Sequence, residues 1–371
     1  MRVIVSAGGT GGHIYPALAI INKIKKEEPD SEFLYIGTHN RMEKDIVPKY
    51  GIKYEPLTII GVDRKNIFNN IKTIRCFFKA IKEAKKLIKK FKPDVVIGVG
   101  GYVTAPVIYA AKKLGYKTII HEQNSVLGLT NRFLIKYADV IATSFESTIN
   151  YISDKKKVVF TGNPCSEEAL KKTKMNKTEL GLSKNKKLIL IVMGSLGSTV
   201  INDKMKMMLQ LFNNKDYEVV FVTGKNYYDQ FKKLKLSPNI KVVPYIDDMP
   251  RLMKVTDVMV SRAGATTMSE IIALNVPTIL IPSPYVTNNH QFKNAMDLQD
   301  KEATLVIEEK DLNGDILVRT IEELLKNTEK YNKIKKNLTK LVIRDSAKRI
   351  YDIAYKLVNE RGKDEKPNNR D

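Results

Sequence analysis

The chain has 371 residues, more than one ordinary domain holds, and its 43% hydrophobic and 28% charged residues are the balance of a soluble protein with sizeable cores. Its two cysteines, Cys76 and Cys165, exclude a disulfide framework, and no Cys/His pattern indicates zinc. The net charge of +22 predicts an anionic partner, which could be nucleic acid, an acidic membrane face or a phosphorylated substrate.

Short apolar runs alternate with helical patterns along the chain. The first run is too short for a signal peptide, and no stretch reaches the ~20 apolar residues of a spanning helix, so we expect neither secretion nor a membrane span. Continuous Val- and Ile-rich runs are typical of parallel strands buried on both faces. The predicted strands are Val3–Val5, Phe33–Ile36, Val95–Val99, Thr118–Ile120, Val140–Ala142, Leu188–Met193, Val219–Val222, Val258–Val260 and Thr278–Ile281, with helices at Pro16–Lys26, Thr104–Lys113, Met205–Leu211 and Thr267–Leu274.

One segment, residues 64–92, carries eleven basic residues and one acid, which is nearly half of the excess charge. Apolar residues at helical spacing, from Ile67 through Ile74, Phe78 and Ile88 to Phe91, predict a helix that docks on a sheet with a solvated lysine face. Further apolar residues among lysines also suit an anionic membrane, at ~1 kcal/mol per basic residue. The candidate membrane patch comprises Phe68, Phe77, Lys82, Lys85, Lys86 and Lys89.

The order of elements repeats, which predicts two similar domains. A glycine turn follows the first strand at Gly8–Gly12, and another follows Leu188–Met193; the strand–glycine–helix unit from Asp94 recurs 163 positions later from Asp257. We predict an α/β fold of two Rossmann-like doubly wound parallel-sheet domains. The first spans residues 1–163 and the second 164–358, with a last helix that can pack back on the first domain, before a frayed tail at 359–371.

The glycine turns favour a ligand that carries phosphate or sugar, because they bring backbone N–H groups and a helix N-terminus close to it. NAD is disfavoured, since no acid follows the second strand at Gly37–His39, and there is no Gly-Lys-Ser/Thr phosphate loop. In the turn Ser261–Glu270, small and hydroxyl residues open a helix, and Glu270 suits a ribose diol. The helix dipole alone also explains an acid at Glu270.

Motifs spread over almost the whole chain resemble those of the MurG family. The resemblance implies the GT-B glycosyltransferase fold, in which two Rossmann-like domains face a cleft. It also implies an inverting transfer of N-acetylglucosamine from UDP-GlcNAc to the 4-hydroxyl of lipid-linked N-acetylmuramoyl-pentapeptide (lipid I to lipid II) in peptidoglycan synthesis. The motifs are Gly8–Ala19, Gly100–Val103, His121–Asn124, Gly128–Asn131, Thr161–Pro164, Ile246–Met249 and Ser261–Glu270.

The implied partners are UDP-GlcNAc, an undecaprenyl-diphosphate-linked muramoyl-pentapeptide and an anionic membrane surface, and the implied location is peripheral, at the cytoplasmic face of the cell membrane. Nucleic acid is not expected, since no helix-turn-helix, aromatic platform or zinc pattern accompanies the charge. No cofactor or metal is expected, since no Asp-x-Asp motif is present and the adjacent Asp247-Asp248 fits a turn better.

The resemblance further implies the roles of single residues. Two positions depart from the family pattern: Cys165-Ser166 stand where an arginine is frequent, and Leu196 stands where a glutamine is usual. The implied UDP-GlcNAc-binding residues are Thr10, Gly11 and Gly12 on the sugar and acceptor side, Asn124 on the donor, Ser195 on the diphosphate, Ile246 on the uracil edge through its backbone, Ala265, Thr266, Thr267, Met268, Ser269 and Glu270 on the diphosphate and ribose, and Gln291 on the GlcNAc hydroxyls.

The transfer needs a general base for the acceptor hydroxyl. His13 is the candidate, because it lies where the glycine turn meets the first helix and imidazole titrates near pH 7; it could instead only order the turn, and Glu122 is the alternative base. Three other functions stay open. They are a UDP-sugar epimerase, a diacylglycerol glycosyltransferase of the same fold, and a basic nucleic-acid-binding protein.

Overall fold

The computed structural model describes residues 1–61, 70–194 and 199–364, and of residues 70–72 and 361–364 it describes the backbone alone. The chain forms two compact units. The first comprises residues 1–165 with the C-terminal segment from Asp345, and the second comprises Ser166–Arg344. Helix α6 (Pro164–Lys171) contains the change from one unit to the other.

The first unit is built on a seven-stranded parallel sheet in the order β3-β2-β1-β4-β5-β6-β7. Its strands are β1 (Arg2–Ser6), β2 (Glu32–Thr38), β3 (Lys53–Leu57), β4 (Val95–Gly98), β5 (Lys117–Glu122), β6 (Val140–Thr143) and β7 (Val158–Phe160). Its helices are α1 (Gly11–Glu27), α2 (Glu43–Ile46), α3 (Asn70–Phe91), α4 (Thr104–Lys113), α5 (Leu129–Leu134) and α13 (Ser346–Asp364).

Both faces of this sheet are covered, which explains the continuous apolar runs. Val3 and Val5 point into a core shared with α1 and α13, while Ile4 points into a core shared with α3 and α4. Successive side chains of a strand point to opposite faces, so a strand buried on both sides has no polar alternate positions.

The second unit has a six-stranded parallel sheet in the order β10-β9-β8-β11-β12-β13. Its strands are β8 (Leu188–Val192), β9 (Glu218–Val222), β10 (Ile240–Val243), β11 (Val258–Ser261), β12 (Thr278–Leu280) and β13 (Leu305–Val306). Its helices are α7 (Thr199–Met208), α8 (Met249–Met253), α9 (Ala265–Leu274), α10 (His290–Gln299), α11 (Gly314–Lys326) and α12 (Thr328–Leu341). The predicted α/β class with two doubly wound parallel sheets is confirmed.

Each sheet reverses its strand order at one place, and the glycine turns lie there. In the first unit β1 pairs with β4, so that Ser6 is level with Gly98, and in the second β8 pairs with β11, so that Val192 is level with Ser261. The crevice outside the carboxyl ends of such neighbouring strands is where doubly wound sheets bind ligands. The turns at Gly8 and Gly264, which follow β1 and β11, therefore lie beside these crevices.

The division of the chain follows the predicted one with small differences. The units change at residue 165 rather than 163, and α13 belongs to the first unit, in keeping with a last helix that packs back on that domain. Ile350 and Ala354 of α13 are buried against the core that contains α1 and β1. Residues 359–364, predicted as part of a frayed tail, continue this helix, while 365–371 lie outside the described residues. No helix in the described ranges has the length and apolarity needed to cross a bilayer.

Candidate active site

The turn after β1 holds His13 in a defined tautomer. The His13 Nδ1 atom lies 3.0 Å from the carbonyl oxygen of Gly8, and a carbonyl can only accept, so Nδ1 carries the proton. In the neutral ring Nε2 then has the lone pair, which is the form a general base needs. The contact also orders the turn, so both roles considered for His13 are compatible with the geometry.

Three neighbouring turns meet around the His13 ring at the carboxyl ends of β1, β4 and β5. A Cβ atom added to Gly100 would lie 2.6 Å from His13 Cδ2 and 3.2 Å from Gln123 Oε1, so the ring packs directly on the Gly100 backbone. Thr10, the residue that precedes α1, is exposed, and its carbonyl accepts the first N–H bonds of the helix. Thr10, Gly11, Gly12 and His13 are thus brought close to residues 122–124.

Glu122 has the environment of a structural carboxylate rather than of a base. Its side chain is buried, and its two oxygens accept four hydrogen bonds. The donors are Asn124 N–H at 3.0 Å and Asn124 Nδ2 at 3.1 Å, with Gly128 N–H and Asn131 Nδ2 both at 2.9 Å. These four donors occupy the acceptor sites of both oxygens, which leaves neither oxygen directed at a ligand hydroxyl. The geometry therefore favours His13 over Glu122 and gives Glu122 the task of orienting Asn124.

A second histidine of this unit, His121, is fully buried and is held neutral. Burial lowers the pKa of His121 to about 4. Its Nδ1 accepts a hydrogen bond from Gln123 Nε2 at 2.9 Å, and its Nε2 lies 3.1 Å from the Gly162 carbonyl oxygen, to which it donates. These bonds tie the end of β5 to the turn that follows β7, and they leave His121 in a structural role.

In the second unit, the described residues leave space at Gly264, directly before α9. Gly264 precedes the helix with an extended backbone, no side chain caps it, and no described atom lies within 4 Å of a Cβ placed on Gly264. The approach to this turn is fixed by Arg262, which donates to the Ile281 carbonyl at 3.0 Å and pairs with buried Glu309. Asn294 of α10 donates to the Ala263 carbonyl. A helix N-terminus preceded by such a glycine favours an anion such as a diphosphate.

The candidate ribose ligand, Glu270, lies one turn into α9. Its side chain keeps some access to solvent, yet protein crowds the carboxyl group, and this desolvation together with the charge of Asp248 raises its pKa to about 7. Asp248 itself pairs with Lys172 at 2.9 Å. A carboxylate that is costly to ionise without a partner gains from two hydroxyl donors.

Two further residues that are candidates for binding UDP-GlcNAc, Ile246 and Gln291, have suitable chemistry. Ile246 lies in the loop between β10 and α8, and its backbone N–H and C=O make no hydrogen bond with any part of the chain that the structure describes. Gln291 Oε1 accepts from Ser283 N–H at 2.9 Å, so that its amide nitrogen is the end left to meet a sugar oxygen. Ala265, Met268 and Ser269 are buried and Thr266 and Thr267 half-buried in the first two turns of α9.

The residues of the predicted membrane patch that the structure describes lie on α3, where the buried face of the helix differs in part from the predicted one. Ile81, Ala84 and Ile88 are buried as predicted, but Ile74 is 55% and Phe78 66% exposed. Phe77, outside the predicted stripe, turns inward and meets Phe133 of α5 with ring centroids 6.0 Å apart. The prediction that the whole stripe docks on the sheet is therefore wrong at Ile74 and Phe78, while Ile67 and the side chain of Ile71 lie outside the described residues. Lys82, Lys86 and Lys89 are exposed and Lys85 is half-buried.

Some predicted residues lie outside the described ranges, and one relevant residue was missed. Phe68, Ser195 and Leu196 fall in the two gaps of the description. Glu43 is buried at the Gly8–Gly12 turn, although its only sequence signal is an acid that follows the second strand. No cluster of metal-ligating side chains occurs among the described residues.

Comparison with known proteins places the chain in a family. Residues 3–143 match the glycosyltransferase family 28 N-terminal domain and residues 188–353 match its C-terminal domain. A Bacillus cereus protein named UDP-N-acetylglucosamine–N-acetylmuramyl-(pentapeptide) pyrophosphoryl-undecaprenol N-acetylglucosamine transferase 1 is 48% identical over 96% of this chain and 100% of its own length. A Bacillus licheniformis transferase of that name, without the numeral, is 47% identical over 96% and 99%.

Solved structures agree with this placement. The crystal structure of Acinetobacter baumannii MurG superposes with a TM-score of 0.77 at 26% identity, covering 96% of this chain and 99% of that one. A putative UDP-N-acetylglucosamine 2-epimerase from Listeria monocytogenes gives 0.72 over 97% of both chains, but at 15% identity this likeness shows the fold alone. With both domain models matched and near-full-length relatives at 48% identity, the chain belongs to the MurG family of glycosyltransferase family 28.

Proposed function

We propose that this protein transfers N-acetylglucosamine from UDP-GlcNAc to the 4-hydroxyl of undecaprenyl-diphosphate-linked N-acetylmuramoyl-pentapeptide, the lipid I to lipid II step of peptidoglycan synthesis. The observation that carries the proposal is the 48% identity to a transferase of that name over 96% of this chain and 100% of the relative. The His13 tautomer and the space that the described residues leave at Gly264 before α9 support it, because this reaction needs a base and an anion site.

The chemistry divides between the units. In the first, Nε2 of His13 takes the proton of the acceptor hydroxyl as that oxygen attacks the anomeric carbon and inverts its configuration. In the second, the backbone N–H groups at the start of α9 stabilise the charge that grows on the leaving diphosphate, and Glu270 accepts hydrogen bonds from the ribose. We propose that this helix end takes the place of a metal ion and that no cofactor is needed.

The test is an assay with UDP-GlcNAc and a short-chain lipid-linked muramoyl-pentapeptide, run with and without EDTA. We expect UDP release matched by one disaccharide product, equal in both buffers. An epimerised UDP-sugar, or transfer only to diacylglycerol, would replace the proposal by one of the alternatives. Loss of transfer in EDTA that is restored by Mg²⁺ would overturn the metal-free mechanism.

We further propose that α3 binds the anionic cytoplasmic face of the membrane that carries the acceptor. Exposed Ile74 and Phe78 supply apolar area, and the lysines along the helix supply charge. Replacing Lys82, Lys85 and Lys89 by Glu removes three favourable charges, each worth ~1 kcal/mol near such a surface, and adds three repulsive ones. Sedimentation with phosphatidylglycerol vesicles should fall by at least about a hundredfold in affinity, with activity on a soluble acceptor retained.

A matched control carries the same change in net charge elsewhere. Lys330, Lys336 and Lys340 are exposed on α12 of the second unit, and their replacement by Glu should leave vesicle binding within about twofold. If both triple variants lose binding equally, the membrane senses total charge and α3 is only a solvated face.

A further inference from the structure

One buried carboxylate bridges the turn after β1 to the end of β2. Glu43, the first residue of α2, has no solvent exposure. Its Oε2 accepts the Gly9 N–H at 3.1 Å, and its Oε1 accepts the Thr38 N–H at 3.1 Å and the Thr38 hydroxyl at 2.7 Å. No basic side chain pairs with Glu43 among the described residues. The carboxylate is thus stabilised by three fixed donors rather than by a mobile cation.

The packing around Glu43 leaves little freedom. A Cβ atom on Gly8 would lie 2.5 Å from Glu43 Oε1, and one on Gly37 would lie 2.8 Å from Glu43 Cγ. Tyr54 closes the site by donating its hydroxyl to the Thr38 carbonyl at 2.6 Å. In a site this close, a small change at the carboxyl group must be transmitted to the backbone of the turn.

The backbone that Glu43 holds is the same backbone that holds His13. Gly9 is bound to Glu43, while the preceding carbonyl, that of Gly8, accepts the His13 Nδ1 proton at 3.0 Å. Gly8 N–H in turn donates to the Gly100 carbonyl at 3.2 Å, beneath the His13 ring. The direction of the Gly8 carbonyl decides which ring nitrogen of His13 carries the proton.

We propose that Glu43 is a positioning residue for the transfer reaction: by anchoring Gly9 it aims the Gly8 carbonyl at His13 and keeps the Nε2 atom of that ring unprotonated toward the acceptor. The catalytic part of this inference rests on the proposed function. The part that concerns the His13 tautomer does not depend on any substrate.

The main test is the isosteric change Glu43→Gln. It replaces one acceptor oxygen by an NH₂ group that must face an N–H or hydroxyl donor, so the turn has to shift. We expect kcat to fall by about 10- to 100-fold, since sub-ångström misplacement of a reacting group costs that much, with KM for UDP-GlcNAc within about twofold. The control is Asp45→Asn, an exposed acid on the same short helix, which should keep kcat unchanged.

Two further measurements separate positioning from general destabilisation. With ¹⁵N-labelled histidine, the chain has only four imidazoles to assign, and His13 should be the Nδ1–H tautomer in the wild type and a mixture in Glu43→Gln. In a His13→Ala background, Glu43→Gln should lower kcat by less than about twofold more, because the two act as one unit. If Glu43→Gln does not fold, Thr38→Val, which removes one of the three donors, should give the same changes at smaller size.

The outcomes are decisive in either direction. An unchanged His13 tautomer in a folded Glu43→Gln or Thr38→Val variant overturns the inference, whatever reaction the protein catalyses. A kcat loss that multiplies fully with that of His13→Ala also overturns it, because Glu43 would then act independently. A shifted tautomer with no transferase activity in the wild type would uphold the positioning contact and refute only the proposed function.

Discussion

The glycine turns of the two units look alike in sequence but differ in what surrounds them. In the first unit, Gly101 has a φ of +86°, and a Cβ there would collide with the backbone oxygen of Gly8. In the second unit, Gly264 has a φ of −70°, and a Cβ there would meet no described atom within 4 Å. The first glycine is required by packing, whereas the second leaves space. The same residue type thus serves close packing in one unit and ligand access in the other.

The polar groups show the same contrast. In the first unit the carboxylates of Glu43 and Glu122 are satisfied by protein donors, and His121 is kept neutral with its pKa lowered to about 4 by burial. In the second unit the pKa of Glu270 is raised to about 7. In the first unit, hydrogen bonds within the protein already occupy these polar groups. In the second unit, the ionised form of Glu270 would be stabilised by hydrogen bonds from a ligand.

The largest effect should come from removing the proposed base, His13. His13→Ala is expected to lower kcat by about 10²- to 10⁴-fold, because general-base assistance contributes that much. The affinity for UDP should stay within about twofold, since the residues proposed to bind its uracil, ribose and diphosphate lie in the second unit. Steady-state kinetics and calorimetry measure the two quantities. Turnover near the wild-type value would assign the His13–Gly8 contact to turn ordering alone.

The contrast between the glycines can be broken by a matched pair of substitutions. Gly101→Ala should lower the free energy of unfolding by about 2–5 kcal/mol, from a left-handed backbone and a backbone collision together. Gly264→Ala should leave it within about 0.5 kcal/mol, because its φ is ordinary and its surroundings are open. Denaturant titration gives both values.

The affinity for UDP tests the other side of this contrast, because here Gly264→Ala is the substitution expected to have an effect. The methyl group of Gly264→Ala projects into the space before α9, so UDP affinity should fall although stability does not. Equal destabilisation by both substitutions would show that the turn before α9 is also closed by packing, which would argue against an anion site there.

Much of the fold could be predicted because the apolar pattern of a parallel sheet is local. Strands such as Val3–Val5 and Val258–Val260 are buried on both faces, and their sequences state this directly. Four strands escaped prediction because they are edge or near-edge strands with polar residues or too few residues to form a pattern, as at Lys53–Leu57 and Leu305–Val306. Helix α13 could be recognised as a helix, but nothing local states which sheet it covers.

The candidate site was predictable to a similar depth. Glycine turns after strands are typical of ligand-binding positions, and the structure places the turns at Gly8 and Gly264 at the carboxyl ends of β1 and β11, beside the reversals of strand order. What single residues do there depends on contacts across the sequence. Glu122 could not be separated from a base until its four donors were known. The role of Glu43 could not be predicted from its place after the second strand, because its partners, Gly9 and Thr38, come from two other segments.

The smallest effect, and the most specific to the second unit, is the pH dependence of donor binding. In the proposed mode of donor binding, ionised Glu270 accepts two hydrogen bonds from the ribose, and protonation removes acceptor capacity. Because its pKa is about 7, the dissociation constant for UDP-GlcNAc should rise by about tenfold between pH 8 and pH 6. Calorimetry with UDP-GlcNAc suits this test, since its diphosphate diester does not titrate in that range.

Glu270→Gln separates this carboxylate from other groups, including His290, the only histidine of the second unit. The variant should bind UDP-GlcNAc more weakly at pH 8 and show no slope; a slope equal to that of the wild type would assign the titration elsewhere. The stability of the unliganded protein should fall as the pH rises, whereas the affinity for the donor should increase. A carboxyl group whose pKa is raised on folding contributes stability below about pH 4.5 and loses it as the pH passes 7, so at pH 8 the ionised Glu270 destabilises the unliganded protein. Glu270→Gln should therefore unfold at a higher temperature at pH 8 while binding less donor, as expected of an acid kept for a ligand rather than for the fold.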